Sequence, residues 1–258
     1  MTVLNINGTA LPIKGILFDK DGTLVDFLHT WGHWVELILD RFSQGLQEQG
    51  LSPLGEEFYV TMGVVYNTEQ GIIDYDRQGP LSVGSVSDLL TIVAMQGYLH
   101  GLTWAQALVL ANQSQQAANE QLEQEQRVKA MPNLLQFLQQ CIEQKLKLAV
   151  VTADEQYAAK KHLQWLDLDI HFQAIIGHDC VTQGKPFPDM IHLACEQLQL
   201  HPSEVVMIGD TNGDMLMAQS AGVQAAIAIV TDETLPLTNY SEANFIIYSY
   251  QSISISPR

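Results

Sequence analysis

The chain has 258 residues, of which 47% are hydrophobic, enough for one or two globular domains with buried cores. Its 29 acidic and 12 basic residues give a formal charge of -17, which argues against nucleic acid or an anionic membrane surface as the main partner. The three cysteines show no CxxC spacing, so neither a zinc site nor a disulfide framework is predicted. Because no segment resembles a signal peptide or a membrane span, we expect a soluble cytoplasmic protein.

The first elements predicted along the chain are a hairpin and a buried strand. Asn7-Gly8 lies between apolar residues and is typical of a hairpin turn. The run KGILFD, residues 14–19, is short and apolar and opens into a charged loop, as a buried parallel strand does. Residues 27–130 then show mostly helical periodicity. We therefore predict a helical cap domain over 27–130, inserted after the first core strand.

Strand and helix alternate through the rest of the chain. Helices are predicted at 133–143, 155–165, 188–199 and 214–221, and strands at 147–152, 172–176, 204–208, 224–229 and 244–248. Such alternation predicts an α/β fold with a doubly wound parallel sheet, built from residues 1–26 and 131–258. Ligands of such folds bind at the carboxyl ends of the strands.

Two aspartates, Asp19 and Asp21, follow the first predicted core strand. In an extended segment, residues two apart point to the same side, so both carboxylates can face one ligand. Mg²⁺ would relieve their repulsion, because it binds carboxylate, phosphate and water oxygens. We predict Asp19 as a nucleophile that forms an aspartyl-phosphate and Asp21 as the acid and then the base. The competing interpretation is an ordinary strand-to-turn boundary, since Asp and Gly are common in turns.

Two further segments supply groups that bind phosphate. Thr152 ends an apolar run before a predicted helix, so its hydroxyl and the following amides, beginning with Ala153, are placed to hold phosphate oxygens. A simple helix N-cap, provided by Thr152 or Asp154, is the alternative. Lys185 is the only lysine or arginine between Lys161 and Arg258, and it can offset the charge of a transferred phosphoryl group. Its alternative is a solvated surface lysine.

The last motif carries two acidic residues, Asp210 and Asp214, after the apolar run VVMIG. We predict that Asp210 binds Mg²⁺ directly, and that Asp214 binds it through water or orients Lys185. The alternative is that Asp214 caps a helix and Asp210 is a turn residue.

The segments DKDGTLVD, Thr152, GKPFPD and GDTNGD together resemble the four signature motifs of the haloacid dehalogenase superfamily, in its phosphoglycolate-phosphatase-like branch with a helical cap. The resemblance implies that Asp19 is nucleophile and metal ligand, and that Asp21 is the acid/base and binds metal through its backbone carbonyl. It also implies that Thr152 and Lys185 bind phosphate and that Asp210 binds Mg²⁺, while Asp214 falls on the second acidic position of the last motif. Phe27 stands where many relatives have Ser or Thr, which indicates a more apolar site and a different substrate.

The predicted function is Mg²⁺-dependent hydrolysis of a small soluble phosphomonoester by a monomer or homodimer. Two alternatives stay open: a phosphomutase of the β-phosphoglucomutase type, and a non-catalytic module that binds a phosphate ligand. In the cap, Arg77 is the only lysine or arginine between Arg41 and Arg127, which makes it the candidate for clamping a second anionic group of the substrate. A local surface ion pair of Arg77 with Asp74 or Asp76 is the favoured interpretation.

Overall fold

The computed structural model describes residues 2–231 and 235–257. The chain divides into two compact units, one formed by Met1–Asp26 with Val128–Arg258 and the other by Phe27–Arg127. We call them the core unit and the inserted unit. The sequence-based boundary between residues 130 and 131 lies three residues beyond the end of the inserted unit.

The described residues form eleven strands and nine α-helices. The strands, in chain order, are β1 (Thr2–Ile6), β2 (Thr9–Ile13), β3 (Gly15–Phe18), β4 (Val64–Asn67), β5 (Gly71–Tyr75), β6 (Lys147–Val151), β7 (Ala174–Ile176), β8 (Val205–Gly209), β9 (Ala225–Ile229), β10 (Phe245–Ile247) and β11 (Ile253–Pro257). The helices are α1 (His33–Glu48), α2 (Glu57–Thr61), α3 (Pro80–Val83), α4 (Val86–Leu99), α5 (Trp104–Glu125), α6 (Leu134–Glu143), α7 (Gln156–Gln164), α8 (Asp189–Leu198) and α9 (Asn212–Ala221). None of these helices combines the length and the hydrophobicity that a membrane span requires.

The core unit is built on a six-stranded parallel sheet with the order β10-β9-β8-β3-β6-β7. After β3 the chain adds β6 and β7 on one side, and it then returns to the other side of β3 for β8, β9 and β10. The strand order therefore reverses next to β3, which is where open α/β sheets bind their ligands. The predicted α/β fold with a parallel sheet is confirmed.

Both faces of this sheet are buried, because successive side chains of its strands enter different cores. Ile16 and Phe18 of β3 join one apolar cluster together with residues of α6 and α7. Leu17 joins the other cluster, together with residues of α8 and α9. Strands covered on both faces read as continuous apolar runs, which is why the sequence marks them clearly.

A second sheet of the core unit has the order β11-β1-β2 and is antiparallel. Asn7 and Gly8 connect β1 to β2 with φ of 49° and 77°, the left-handed conformation that a two-residue Asn-Gly hairpin turn requires. The hairpin was predicted from these two residues. Strand β11, whose Ile253 and Ile255 pack against the core, was not predicted.

The inserted unit has its own apolar core, formed by helices α1, α4 and α5 with smaller elements around them. Within it, β4 and β5 form an antiparallel hairpin that the predicted helical cap domain did not include. Gly71 begins β5 with φ of 78°, and Tyr59 stacks on Tyr66 of β4 with ring centroids 4.0 Å apart. The β-branched runs VVY and GII carry a strand signal that helical periodicity in the flanking segments obscured.

Candidate functional site

The carboxyl ends of the central strands hold most of the predicted site residues of the core unit. Asp19 follows β3, and its backbone amide donates to the carbonyl of Ile208 in β8 at 2.9 Å. Thr152 follows β6, and its amide donates to Ile176 at the end of β7 at 3.0 Å. Since neighbouring parallel strands end at one edge of the sheet, segments far apart in sequence meet there.

A lysine bridges two carboxylates at this edge. The Nζ atom of Lys185 lies 2.6 Å from Oδ1 of Asp19 and 2.6 Å from Oδ1 of Asp214. Burial lowers the pKa of Lys185, but the two carboxylates outweigh burial and hold that pKa above its usual range. Lys185 is therefore charged, with its side chain 12% exposed and paired with two carboxylates, and the interpretation of it as a solvated surface lysine is wrong.

Three carboxylates converge beside this ammonium. One oxygen each from Asp19, Asp210 and Asp214 lies within 4.8 Å of the other two. Burial, opposed by Lys185, raises the pKa of Asp19 to about 6. Burial, together with the charges of Asp19 and Asp214, also raises the pKa of Asp210 well above its usual range. Crowded carboxylates of this kind are hard oxygen donors whose repulsion a divalent cation relieves, so the residues present fit such an ion.

Glycine at position 22 allows the loop after β3 to lie directly against Asp210. Gly22 has φ of 77°, and a Cβ built on it would lie 2.1 Å from Oδ2 of Asp210. The hydroxyl of Thr23 also donates to Oδ1 of Asp210 at 3.4 Å. The loop that follows the nucleophile candidate thus determines where Asp210 can sit.

Asp214 has partners for both oxygens. Its Oδ2 accepts from the hydroxyl of Thr211 at 2.6 Å and from the Thr211 amide at 3.1 Å, completing a capping box at the start of α9. Its Oδ1 is the atom that pairs with Lys185. Asp214 therefore both caps a helix and orients Lys185, an arrangement that favours the orienting role over direct binding of a metal ion.

The side chains of Asp21 and Thr152 contact groups other than Lys185 and the three carboxylates. Both oxygens of Asp21 lie 2.8 Å from Nζ of Lys20, outside the group of three carboxylates. The buried hydroxyl of Thr152 accepts from the amide of Asp154 at 3.1 Å, while Ala153 is exposed. Because α7 begins only at Gln156, neither Thr152 nor Asp154 caps it, and that alternative is wrong.

Arg77 belongs to the inserted unit. Its guanidinium pairs with Asp74, donates to the carbonyl of Tyr75 at 2.5 Å and lies 4.1 Å from the centre of the Tyr75 ring. The local ion pair with Asp74, which the sequence analysis favoured, is thus present. A role of Arg77 in binding substrate stays a prediction.

Two site residues were missed by the sequence analysis. Lys20 lies between the two motif aspartates and is fully buried, which the sequence did not indicate because both of its neighbours are charged. Tyr250 is buried in a short 3₁₀ turn, and its hydroxyl donates to the carbonyl of Thr23 at 2.9 Å. No sequence pattern relates position 250 to the loop after β3, so only the fold reveals that contact.

The raised pKa of Asp19 predicts an unusual stability profile in the absence of divalent cations. A carboxyl whose folded pKa of about 6 exceeds its usual value of 3.8 stabilises the fold below the lower value and loses that contribution as the pH rises through 6. Asp19→Asn cannot ionise, so with EDTA it should be more stable than the wild type at pH 8, by at most about 3 kcal/mol. The difference should vanish at pH 4.

Urea unfolding at pH 4, 6 and 8 in EDTA measures this effect. Asp167→Asn, at an exposed position of the core unit, is the matched control and should show no such difference. A variant Asp19→Asn that is less stable than the wild type at pH 8 would contradict the electrostatic account of the site.

Comparisons with known proteins give consistent matches. A family model described as haloacid dehalogenase-like hydrolase matches residues 13–222. The pyrophosphatase PpaX of Oceanobacillus iheyensis is 28% identical over 127 residues, which are 49% of this chain and 59% of that protein. The phosphoglycolate phosphatase of Yersinia pestis is 26% identical over 212 residues, covering 81% of this chain and 78% of that protein.

The fold recurs in solved structures. A crystal structure described as a predicted phosphoglycolate phosphatase from Haemophilus somnus superposes with a TM-score of 0.64 at 20% identity, covering 93% of this chain and 96% of the other. The alignments with the first four curated relatives span only 38% to 59% of those proteins. At 20% identity, the similarity to the solved structure shows a shared fold only.

Proposed function

Because this chain belongs to the haloacid dehalogenase-like hydrolase family, we propose that it is a Mg²⁺-dependent phosphatase of a small phosphomonoester, with Asp19 as the nucleophile. The observation that carries the proposal is the Lys185 ammonium 2.6 Å from Asp19, with Asp210 and Asp214 beside it. A cation next to a carboxylate prepares that site for a phosphoryl group, because negative charge accumulates where the group is transferred. The four motif segments support the same assignment.

In the first step, an oxygen of Asp19 attacks phosphorus while the bond from phosphorus to the ester oxygen breaks. Asp21 gives its proton to the departing alcohol. Lys185 offsets charge on the transferred group, and the Thr152 hydroxyl and Ala153 amide are assigned to its oxygens. In the second step Asp21 takes a proton from water, which attacks phosphorus and releases phosphate and free Asp19.

The groups proposed to hold Mg²⁺ are Asp19, Asp210 and the backbone carbonyl of Asp21. Asp214 lies beside the carboxylates of Asp19 and Asp210. The ion would supply positive charge that lets the carboxylates and the phosphate approach one another. Asp214 contributes by holding Lys185 through Oδ1 while Thr211 fixes its other oxygen.

The proposed partner is a small phosphate ester, and a monomer or homodimer is proposed as the state of the protein. The formal charge of -17 supports a small ligand over nucleic acid or an anionic membrane. The three cysteines are free thiols, which supports a reducing compartment, the cytoplasm. A role of Arg77 in binding the rest of the substrate is part of the same proposal.

Phosphate release from an aryl phosphate, measured with Mg²⁺ and with EDTA, tests the function. We expect activity only with the divalent cation, and we expect Asp19→Asn to lose at least about three orders of magnitude, because no other group can form the covalent intermediate. Asp167→Asn is the matched control at an exposed position. Undiminished activity of Asp19→Asn would refute the proposal.

Product analysis separates hydrolysis from phosphoryl transfer. With a sugar monophosphate, a hydrolase yields the free sugar and inorganic phosphate, whereas a phosphomutase yields an isomeric sugar phosphate. We expect the hydrolysis products.

A further inference from the structure

Lys20 is a fully buried lysine that the proposed mechanism does not use, and it lies at the centre of a polar cluster. Its Nζ atom lies 2.8 Å from both oxygens of Asp21, 3.1 Å from Oδ2 of Asp154 and 3.0 Å from Nδ1 of His162. An ammonium has three donors and no acceptor, so these three side chains match its capacity. Lys20 is therefore turned toward protein groups rather than toward the phosphate.

The other two partners of Lys20, Asp154 and His162, come from the segment that follows β6. Asp154 lies two residues after Thr152, and its amide donates to the Thr152 hydroxyl. His162 lies on α7, is 6% exposed and packs against Trp165 with ring centroids 5.1 Å apart. Burial, followed by the charge of Lys20, lowers the pKa of His162 to about 3, so its ring is neutral and Nδ1 can accept. The ammonium is thus held by Asp154, which precedes α7, and by His162 on α7.

Asp21 has a different environment. Its carboxylate is 14% exposed, and the Lys20 ammonium is the cation in contact with it. A carboxyl group that carries a proton still has one oxygen that can accept from an ammonium, while the other oxygen donates its hydrogen. Contact with Lys20 is therefore compatible with proton donation, and it fixes the carboxyl group on one side.

We propose that Lys20 is a positioning residue, which, held by Asp154 and His162, orients the carboxyl group of Asp21 toward the leaving oxygen of the phosphate ester. This inference rests on the proposed function, because it assigns Lys20 a part in the step in which Asp21 acts as an acid. In that step the bond between phosphorus and the ester oxygen breaks, the Asp19 oxygen bonds to phosphorus and the Asp21 proton moves to the leaving oxygen. Lys20 neither gives nor takes a proton in this step.

Leaving groups of different basicity reveal such a role. An alkyl phosphate releases a strongly basic alkoxide and needs the acid, whereas an aryl phosphate releases a stable phenolate and does not. The value of kcat/KM reports the steps through ester cleavage, so comparing it for the two esters isolates the acid step. For Lys20→Met we expect kcat/KM to fall at least tenfold further for the alkyl ester than for the aryl ester. Lys160→Met, an exposed lysine on α7, should change neither value.

A pair of His162 variants keeps the inference testable if Lys20→Met does not fold. His162→Gln retains an oxygen that can accept from Lys20, whereas His162→Leu removes the acceptor. We expect His162→Leu to shift the alkyl-to-aryl ratio in the same direction as Lys20→Met, and His162→Gln to restore it at least in part. Thermal unfolding of each variant identifies losses that arise from the fold alone.

The outcomes are distinguishable. If folded Lys20→Met and His162→Leu lower kcat/KM equally for the two esters, or not at all, the positioning role is overturned while the phosphatase proposal stands. If the wild-type protein releases phosphate from neither ester with Mg²⁺, the proposed function fails first.

Discussion

Replacing Lys185 with methionine should lower kcat/KM for an aryl phosphate by about 10³-fold or more. The ammonium pairs with Asp19 and Asp214 at 2.6 Å each, so its loss removes the charge that offsets the transferred phosphoryl group. It also leaves two carboxylates in a buried site, a change that costs about 3–5 kcal/mol in comparable cases. Activity assays and urea unfolding measure the two effects.

Lys160→Met is the matched control for this substitution, because it removes the same charge from an exposed position. Mg²⁺ should recover part of the lost stability of Lys185→Met, since a divalent cation also offsets the carboxylates. Near-wild-type activity of a folded Lys185→Met would show that the lysine does not act at the reacting phosphate.

Gly22→Ala should reduce phosphatase activity by at least about 100-fold, through displacement of Asp210. The added Cβ would lie 2.1 Å from Oδ2 of Asp210, so the carboxylate must move away from the other two. Alanine at φ of 77° also costs about 1–2 kcal/mol of stability, because the left-handed region is strained for residues with a side chain. The apparent affinity for Mg²⁺ should fall along with the activity.

Gly222→Ala separates the two causes. Gly222 has φ of 70° at the end of α9, but a Cβ there would meet nothing within 4 Å. The Gly222→Ala variant should therefore lose about as much stability as Gly22→Ala but keep its phosphatase activity. Equal activity losses in the two alanine variants would mean that backbone strain, rather than contact with Asp210, explains the effect.

The parallel sheet of the core unit was predictable because its strands are apolar on both faces. The runs at β3, β6 and β8 stand out in the sequence, and the polar residues directly after them had to meet at one edge. The same reasoning predicted that Asp19 and Asp210 lie close together. Lys185 was identified because it is the only lysine or arginine between Lys161 and Arg258. In the structure its ammonium pairs with Asp19.

Elements that depend on long-range contacts were not predictable in the same way. Strand β11 is a short alternation of Ile and Ser, and its pairing with β1 depends on residues about 250 positions away. The partners of Lys20 and Tyr250 likewise come from segments whose sequence shows no relation to the loop after β3. In the inserted unit, the β4–β5 hairpin lies between helices, where short strand signals are weak.

The segments that lead into and out of the inserted unit run side by side within the core unit. The amide of Asp26 donates to the carbonyl of Lys129, the amide of Met131 donates to Leu24, and Val25 pairs with Ala130 in antiparallel orientation. Each unit also has a separate apolar core. A linker of a few glycine and serine residues could therefore replace the inserted unit and join Asp26 to Val128 at a small cost in loop-closure entropy. The shortened protein should retain the parallel sheet.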